Sequence, residues 1–180
     1  IPLVGMHLVD EEMNVIPADG ESTGEIVLRA PWLTQGYLKD NHNSEQLWRG
    51  GHLHTGDVAN VDTAGYFKIT DRAKDVIKIA GEWLSSLEIE DILAQHATVR
   101  EVAVIGMPDN KWGERPLALV VAGESEPNEK ELISFVRGFV DSGRLTRHAL
   151  MLKVLVVDEI NKTSVGKIDK KLLRKKHLNT

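Results

Sequence analysis

The spacing of apolar residues changes near residue 70, and this change constrains the fold more than any other feature of the chain. Before it, apolar and polar residues alternate in short runs separated by turn residues, as at residues 6–10 and 24–29. After it, short β-branched runs alternate with segments of helical period. The sequence therefore predicts an α+β chain whose first part is β-rich, a small barrel or sandwich piece, and whose second part is mixed.

Individual elements follow from the same pattern. Strands are predicted at residues 6–10, 24–29, 58–61, 66–69, 76–79, 102–105, 117–121 and 154–157. One helix is predicted to begin at a capping box formed by Ser85 and Glu88, a second at Asn128, and a third to span residues 168–176. We place the domain boundary between Asp71 and Arg72, which leaves enough chain after it for an independent small core.

Composition and charge exclude several classes of function. The chain has no cysteine, which removes disulfides, thiol nucleophiles and cysteine-based zinc sites. The net charge is −5, and residues 161–180 hold seven Lys or Arg beside one carboxylate, Asp169. This is one localised basic patch rather than a broad basic face, so we expect no nucleic-acid partner. His52 and His54 alternate on one strand without a third ligand nearby, and we expect no metal site.

The chain also lacks the features of a membrane or secreted protein. No run approaches the ~18 apolar residues that a bilayer span needs. It begins at Ile1 with no basic and apolar leader, which favours a segment excised from a longer protein over a secreted precursor. We expect a cytoplasmic protein, with contact at a membrane surface left open.

Three segments carry the functional argument. For Thr55-Gly56-Asp57, the plain interpretation is a tight turn between strands. The functional interpretation is a carboxylate at the end of a strand that accepts hydrogen bonds from a vicinal diol such as a ribose. In residues 69–81, Arg72 is either paired with neighbouring charges or a bidentate donor to phosphate or ribose oxygens. In residues 161–171, the loop that carries Lys167 lacks the first glycine of a Walker motif, so a Walker phosphate loop is excluded. The remaining interpretation is a lysine on a mobile loop that reaches an anion from outside.

In this order and spacing the segments resemble the C-terminal portion of the adenylate-forming enzymes, which include acyl-CoA synthetases, luciferases and peptide-synthetase adenylation domains. Residues 24–29 followed by Gly36 and Tyr37 look like the family's G-E-[IL]-x-[VI]-[RK]-G…G-Y segment, and residues 106–114 look like its G-x-[PD]-D…W-G-E stretch. The run at residues 69–83 most resembles medium- and long-chain fatty-acid CoA ligases and methylmercaptopropionate-CoA ligases.

The resemblance implies a two-step ligase. Residues 1–71 would be the last β subdomain, a distorted barrel, of the large adenylation domain, and residues 72–180 the mobile α+β lid. The parent enzyme would convert a carboxylic acid, expected to be a fatty acid, and ATP with Mg²⁺ into acyl-AMP, and would then transfer the acyl group to coenzyme A. The family's phosphate loop and acyl pocket lie outside these residues, so we expect the isolated chain to be inactive.

The resemblance also implies roles for individual residues. Lys167 would be the catalytic lysine; Asp57, Ile69 and Arg72 would bind the nucleotide; Lys74 would be the hinge; and Lys78, Gly81 and Trp83 would face coenzyme A and the thioester. Ile69 could equally be a buried strand residue. Arg174, Lys175 and Lys176 would form either a contact to the phosphates of coenzyme A or a solvated helix face.

Several questions stay open at this point. The chain could belong to an adenylate-forming enzyme that loads a carrier protein, or be a noncatalytic module whose basic tail binds an acidic partner. The acyl chain and the oligomeric state are not specified by the sequence.

Overall fold

The computed structural model describes residues 3–178 and divides the chain into two compact units, Ile1–Lys74 and Asp75–Thr180. The predicted α+β class with a β-rich first part is confirmed. The division falls between Lys74 and Asp75, whereas the sequence pattern placed it between Asp71 and Arg72.

The first unit is built on one antiparallel sheet. Its strands lie in the order β1 (Gly5–Val9), β2 (Thr23–Arg29), β3 (Leu53–Val61) and β4 (Phe67–Arg72). The buried cluster of this sheet consists of Leu8, Ile26, Ala59 and Val61. The alternation of apolar and polar residues predicted strands in this part of the chain, and β1, β2 and β3 each supply residues to this cluster.

A short helix, α1 (Asn41–Leu47), interrupts the first unit between β2 and β3. Asp40 caps it by accepting a hydrogen bond from the Asn43 backbone N–H. None of its residues is buried, so it has no apolar stripe. The sequence analysis did not predict this helix, since apolar period is the signal on which such predictions rest.

The second unit contains a five-stranded sheet. Its strands are β5 (Ile77–Ile79), β6 (Glu82–Leu84), β7 (Val99–Asp109), β8 (Gly113–Ala122) and β9 (Lys153–Val156). The order is β6-β5-β8-β7, and β9 pairs with β8 in parallel. Alternate residues of β7 enter two different buried clusters, Val102 and Val104 on one face and Ala103 and Ile105 on the other. The sheet is therefore buried on both faces.

Three helices accompany this sheet: α2 (Ser86–Leu93), α3 (Glu129–Asp141) and α4 (Lys170–His177). The predicted start of α2 is confirmed, because Ser85 is its N-cap and the Ser85 hydroxyl accepts the Glu88 N–H. Helix α4 begins later than predicted, since Ile168 pairs with Lys162 in a β-bridge and Asp169 acts as the N-cap. A 3-10 helix, Arg147–Met151, precedes β9.

Among residues 3–178, no helix combines the length and the apolar composition that crossing a bilayer would demand.

Candidate active-site residues

Asp57 and Arg72 meet at one end of the sheet in the first unit. They are directly opposite each other on β3 and β4, and the Arg72 guanidinium lies 2.9 Å from a carboxylate oxygen of Asp57. The side chains are 27% and 58% exposed, so both can be reached from solvent. An arginine has five N–H donors, and the carboxylate has further lone pairs, so the pair can still bind a ligand that offers both hydroxyls and an anionic group.

The backbone around Asp57 is not the simple turn between strands that the plain interpretation required. Residues 53–61 form one strand, and its register against β2 shifts where Thr55-Gly56-Asp57 lies. The Thr55 hydroxyl donates to the Ile26 carbonyl at 2.8 Å and accepts from the Asp57 N–H at 3.1 Å. Gly56 has a φ of +71°, a conformation that other residues rarely adopt. The segment is a bulge in an inner strand of the sheet, and the Asp57 side chain that follows it remains partly exposed.

The Glu25 side chain on β2 supports this bulge through hydrogen bonds. One of its carboxylate oxygens accepts the Gly56 N–H at 3.0 Å, and the other lies 2.8 Å from His54 Nδ1. The second ring nitrogen of His54 lies 3.1 Å from the Arg49 carbonyl oxygen. Glu25 lies within one of the resemblance motifs, but no pattern in the sequence predicts that Glu25 and His54 support the site.

Gly24, next to Glu25, is required for close packing. A Cβ at this position would lie 2.7 Å from the Val9 carbonyl oxygen and from the Ile16 side chain. Gly24 and Glu25 of the motif at residues 24–29 are therefore needed for different physical reasons. Gly24 allows the chain to pack closely, and Glu25 supports the bulge.

Ile69 and Lys74 are both exposed. Ile69, on β4, is 61% exposed, so the alternative interpretation of a buried strand residue is wrong. Lys74 lies in the turn after β4 and is the last residue of the first unit.

Lys78, Gly81 and Trp83 lie together on the β5–β6 hairpin of the second unit. Lys78 and Trp83 are cross-strand partners, with the ammonium 5.7 Å from the indole centroid. The connecting turn has positive φ at both Ala80 (+52°) and Gly81 (+85°). A Cβ built on Gly81 would meet no heavy atom within 4 Å among the described residues, so the turn is open on that side.

Lys167 lies on an exposed loop that is closed by its own hydrogen bonds. The Thr163 N–H donates to the Lys167 carbonyl at 2.7 Å, and the Gly166 N–H donates to the Thr163 carbonyl at 2.9 Å. Gly166 has a φ of +78°. The loop thus presents the Lys167 side chain to solvent from a hydrogen-bonded hairpin base.

Lys170, three residues further on, is buried rather than solvated. Its ammonium lies 2.7 Å from Glu90 of α2 and donates to the Ser86 hydroxyl at 2.7 Å. The same Glu90 oxygen accepts the Val104 N–H of β7 at 2.7 Å. Within residues 3–178, β7 is paired with β8 alone, so this carboxylate binds the other edge of the strand. Lys170 ties the start of α4 to that edge.

The basic face of α4 is also not uniform. Arg174 donates to Asp75 at 2.9 Å, and these side chains are 26% and 13% exposed, so Arg174 is part of the packing of the second unit. Lys175 and Lys176 are exposed.

Asp109 organises the turn between β7 and β8. Its carboxylate accepts the backbone N–H groups of Lys111 at 2.9 Å and Trp112 at 3.1 Å. These bonds, first that from Lys111, together with the charges of Arg115 and Lys111, hold the pKa of Asp109 below its usual range despite some desolvation. The turn delivers Gly113 and Glu114 to the start of β8.

The candidate residues therefore form separate groups within the described chain. Asp57 and Arg72 are in contact, as are Lys78 and Trp83, and Lys167 lies on a loop of its own. Glu25, Glu90 and Lys170 were not anticipated, since no sequence signal joins residues that are so far apart in the chain.

Comparison with known proteins gives consistent matches along the chain. Residues 88–167 match the family model described as the AMP-binding enzyme C-terminal domain. The chain is 40% identical over 99% of its length to a long-chain-fatty-acid–CoA ligase of Thermus thermophilus. It is also 40% identical over 95% of its length to a 3-methylmercaptopropionyl-CoA ligase of Ruegeria lacuscaerulensis. The chain spans about a third of these relatives, 32% and 31% respectively.

One solved structure is similar over nearly the whole chain. The amide bond synthetase McbA from Marinactinospora thermotolerans superposes with a TM-score of 0.73 and 32% identity, covering 98% of this chain and 35% of that one.

Proposed function

We propose that the chain belongs to the adenylate-forming enzymes that carry the AMP-binding C-terminal domain, and that it is the C-terminal part of an AMP-forming acyl-CoA synthetase. The parent protein would activate a carboxylic acid, of which a fatty acid is our first choice, with ATP and Mg²⁺. Pyrophosphate leaves as acyl-AMP forms; the thiol of coenzyme A then attacks the acyl carbon and AMP leaves. The observation that carries this proposal is the 40% identity across 99% of the chain with a fatty-acid CoA ligase.

Under this proposal residues 1–71 are the last β subdomain of the large adenylation domain, and residues 72–180 form the mobile lid domain. Lys74 would be the hinge. A hinge must absorb a large backbone rotation between two poses. Lys74 is suited to this because it is exposed and lies in a turn where the two compact units meet in sequence, so its rotation would disturb no core packing.

Asp57, Arg72 and Ile69 would bind the nucleotide. The Asp57 carboxylate would accept hydrogen bonds from the two ribose hydroxyls, and the Arg72 guanidinium would donate to ribose or phosphate oxygens. Their 2.9 Å ion pair supports this because it sets the two groups side by side before the ligand arrives. The exposed side chain of Ile69, on the same strand as Arg72, would contact the adenosine.

Lys167 would stabilise the adenylation transition state. Its ammonium would bridge the acyl carboxylate and the α-phosphate, where negative charge accumulates. Stabilisation of this kind is typically worth about 3 kcal/mol or more. The exposed loop suits a residue that must enter a site in one pose and leave it in the other.

Lys78, Gly81 and Trp83 would face coenzyme A and the thioester in the second pose. Gly81 would let the pantetheine arm pass close to the backbone, and the open space beside it supports this role. Lys78 would lie near the acyl or thioester centre.

The full-length protein provides the decisive assay. Pyrophosphate release with ATP, Mg²⁺ and a series of fatty acids measures adenylation, and thioester formation from supplied acyl-AMP and coenzyme A measures transfer. Lys167→Ala should lower adenylation by about 100-fold or more and leave transfer within a few-fold. The matched control is Lys171→Ala, an exposed lysine of the same tail; Lys170 is unsuitable because it is buried. Equal losses in Lys167→Ala and Lys171→Ala would refute the assignment.

The competing functions have their own outcomes. The similarity to an amide bond synthetase favours testing acceptors other than coenzyme A. Transfer to a carrier protein with none to coenzyme A would identify a carrier-loading enzyme, and the absence of any acyl-AMP would leave a noncatalytic binding module. The isolated chain should be inactive and bind ATP weakly, because only Asp57, Ile69 and Arg72 hold the nucleotide; micromolar affinity by calorimetry would contradict this.

A further inference from the structure

Glu114 belongs to the Trp-Gly-Glu motif, to which neither the sequence nor the proposed chemistry gives a task. Its carboxylate accepts a hydrogen bond from the backbone N–H of Lys78 at 2.8 Å, across 36 residues of chain. The contact joins the start of β8 to the first strand of the β5–β6 hairpin.

This contact adds to a short backbone pairing between the hairpin and β8. Strand β5 pairs with β8 at a single position, Ile79 opposite Gly113, and the Ala80 N–H donates to the Trp112 carbonyl at 2.9 Å. At the next position of the β5–β8 pairing, the Lys78 N–H donates to the Glu114 side chain instead of to a backbone carbonyl. It therefore fixes the backbone of Lys78, two residues before the Ala80–Gly81 turn.

Gly106 on β7 provides the room for this carboxylate. Gly106 and Glu114 lie diagonally across the β7–β8 pair, because Pro108 is opposite Glu114 and Pro116 is opposite Gly106. A Cβ on Gly106 would lie 2.7 Å from the Glu114 carboxylate oxygen that accepts the Lys78 N–H. The backbone at Gly106 does not have positive φ, and the three atoms nearest to a Cβ there all belong to the Glu114 carboxylate.

We propose that Glu114, seated against Gly106, is a positioning residue for the acyl-transfer step, acting through the Lys78 backbone on the β5–β6 hairpin. This rests on the proposed function, in which the hairpin faces the thioester. A shift of the Ala80–Gly81 turn would misplace the pantetheine path and the Lys78 side chain. Adenylation relies on Lys167, Asp57 and Arg72 instead, so the two half-reactions should respond differently.

The test compares variants of the full-length protein in both half-reactions. Glu114→Ala should lower kcat for transfer from supplied acyl-AMP by roughly tenfold, the equivalent of one hydrogen bond to a charged acceptor, and leave adenylation within about twofold. Glu114→Gln should retain most of the transfer rate, since its amide oxygen can still accept the Lys78 N–H. The exposed Glu124, just beyond the other end of β8, supplies the control Glu124→Ala, which should alter neither step.

Gly106→Ala perturbs the same hydrogen bond without changing Glu114, because the added Cβ would clash with the carboxylate. It should reproduce the transfer defect by displacing the carboxylate, and Gly106→Ala with Glu114→Ala should be no slower than Glu114→Ala alone. Hydrogen exchange of the Lys78 amide should accelerate in Glu114→Ala and not in Glu124→Ala, which tests the contact without activity.

The outcomes separate this proposal from the one on which it rests. A wild-type protein that makes acyl-AMP and thioester, with transfer unchanged in Glu114→Ala, overturns the positioning role alone. Equal slowing of both half-reactions in Glu114→Ala also overturns it, because that result indicates a general loss of structure. A wild-type protein that makes no acyl-AMP overturns the proposed function, and the positioning role with it.

Discussion

Replacing Lys170 with methionine should destabilise the second unit strongly, although Lys170 lies in a tail that looks solvated in the sequence. Methionine keeps the length of the side chain and removes the ammonium. The buried Glu90 carboxylate then loses the ammonium and keeps the hydrogen bond from the Val104 N–H. The paired side chains are 9% and 11% exposed, so water cannot readily replace the ammonium.

The size of the effect follows from that burial. Removing one partner of a buried ion pair typically costs about 3–5 kcal/mol, because the remaining charge is left uncompensated. An exposed lysine in a helix contributes little, and surface substitutions usually stay within about 0.5 kcal/mol. Lys171→Met, one residue away and exposed, is therefore the matched control.

The assay is urea denaturation of the 180-residue chain, followed by far-UV circular dichroism. The double variant Lys170→Met with Glu90→Met should recover part of the loss, since no buried charge remains. The recovery should be incomplete because the Val104 N–H loses its acceptor, at a cost of about 1–3 kcal/mol. Equal free energies of unfolding for Lys170→Met and Lys171→Met would refute the reasoning.

Three further predictions concern local geometry. Ala80→Asn should raise the free energy of unfolding by about 1 kcal/mol, because Ala80 has positive φ in a two-residue hairpin turn and asparagine tolerates that conformation; a lower urea midpoint would contradict this. Gly24→Ala should destabilise the first unit by about 1–3 kcal/mol through its contact with the Val9 carbonyl, measured by the same denaturation. The Ser22 hydroxyl and backbone N–H groups of Ser22 and Glu21 lower the pKa of Asp19 to about 2. The stability that this carboxylate adds is complete above its ordinary pKa and is lost as the pH falls towards 2; Ser22→Ala should shift its NMR titration upward.

The elements with a strong local signal were predictable. Alternation marked strands of the first sheet, and short β-branched runs marked most strands of the second. Ser85 and Asn128 marked the starts of α2 and α3, because a cap is a contact between residues close in sequence. Strand lengths were underestimated: β7 runs to Asp109, well past the predicted end at residue 105. Pairing with β8 continues there although the residues are no longer β-branched.

The features that were missed depend on contacts between distant residues. Helix α1 has no buried side chain, and β6 is only three residues long, so neither carries a usable pattern. Lys170 stands among other lysines, and nothing local distinguishes the buried one. Its environment is decided by Glu90 and Ser86 on another helix. The plain interpretation of Ile69 failed for the opposite reason, since a β-branched residue in a strand is normally buried on one face.

Three glutamates give the resemblance motifs a common physical basis. Glu25 accepts the backbone N–H of Gly56 beside Asp57, and Glu114 accepts that of Lys78 on the hairpin, across 31 and 36 residues. Glu90 binds Lys170, which begins the helix after the Lys167 loop.

Glu25 and Glu114 hold the backbone next to a candidate residue from a different strand, whereas Glu90 holds the side chain of Lys170, three residues after Lys167. A motif of this family can therefore be separated into a residue that would act and a residue that holds it in place. Substituting Glu25 or Glu114 should impair the segment that it supports and spare the other, which a general loss of stability would not do.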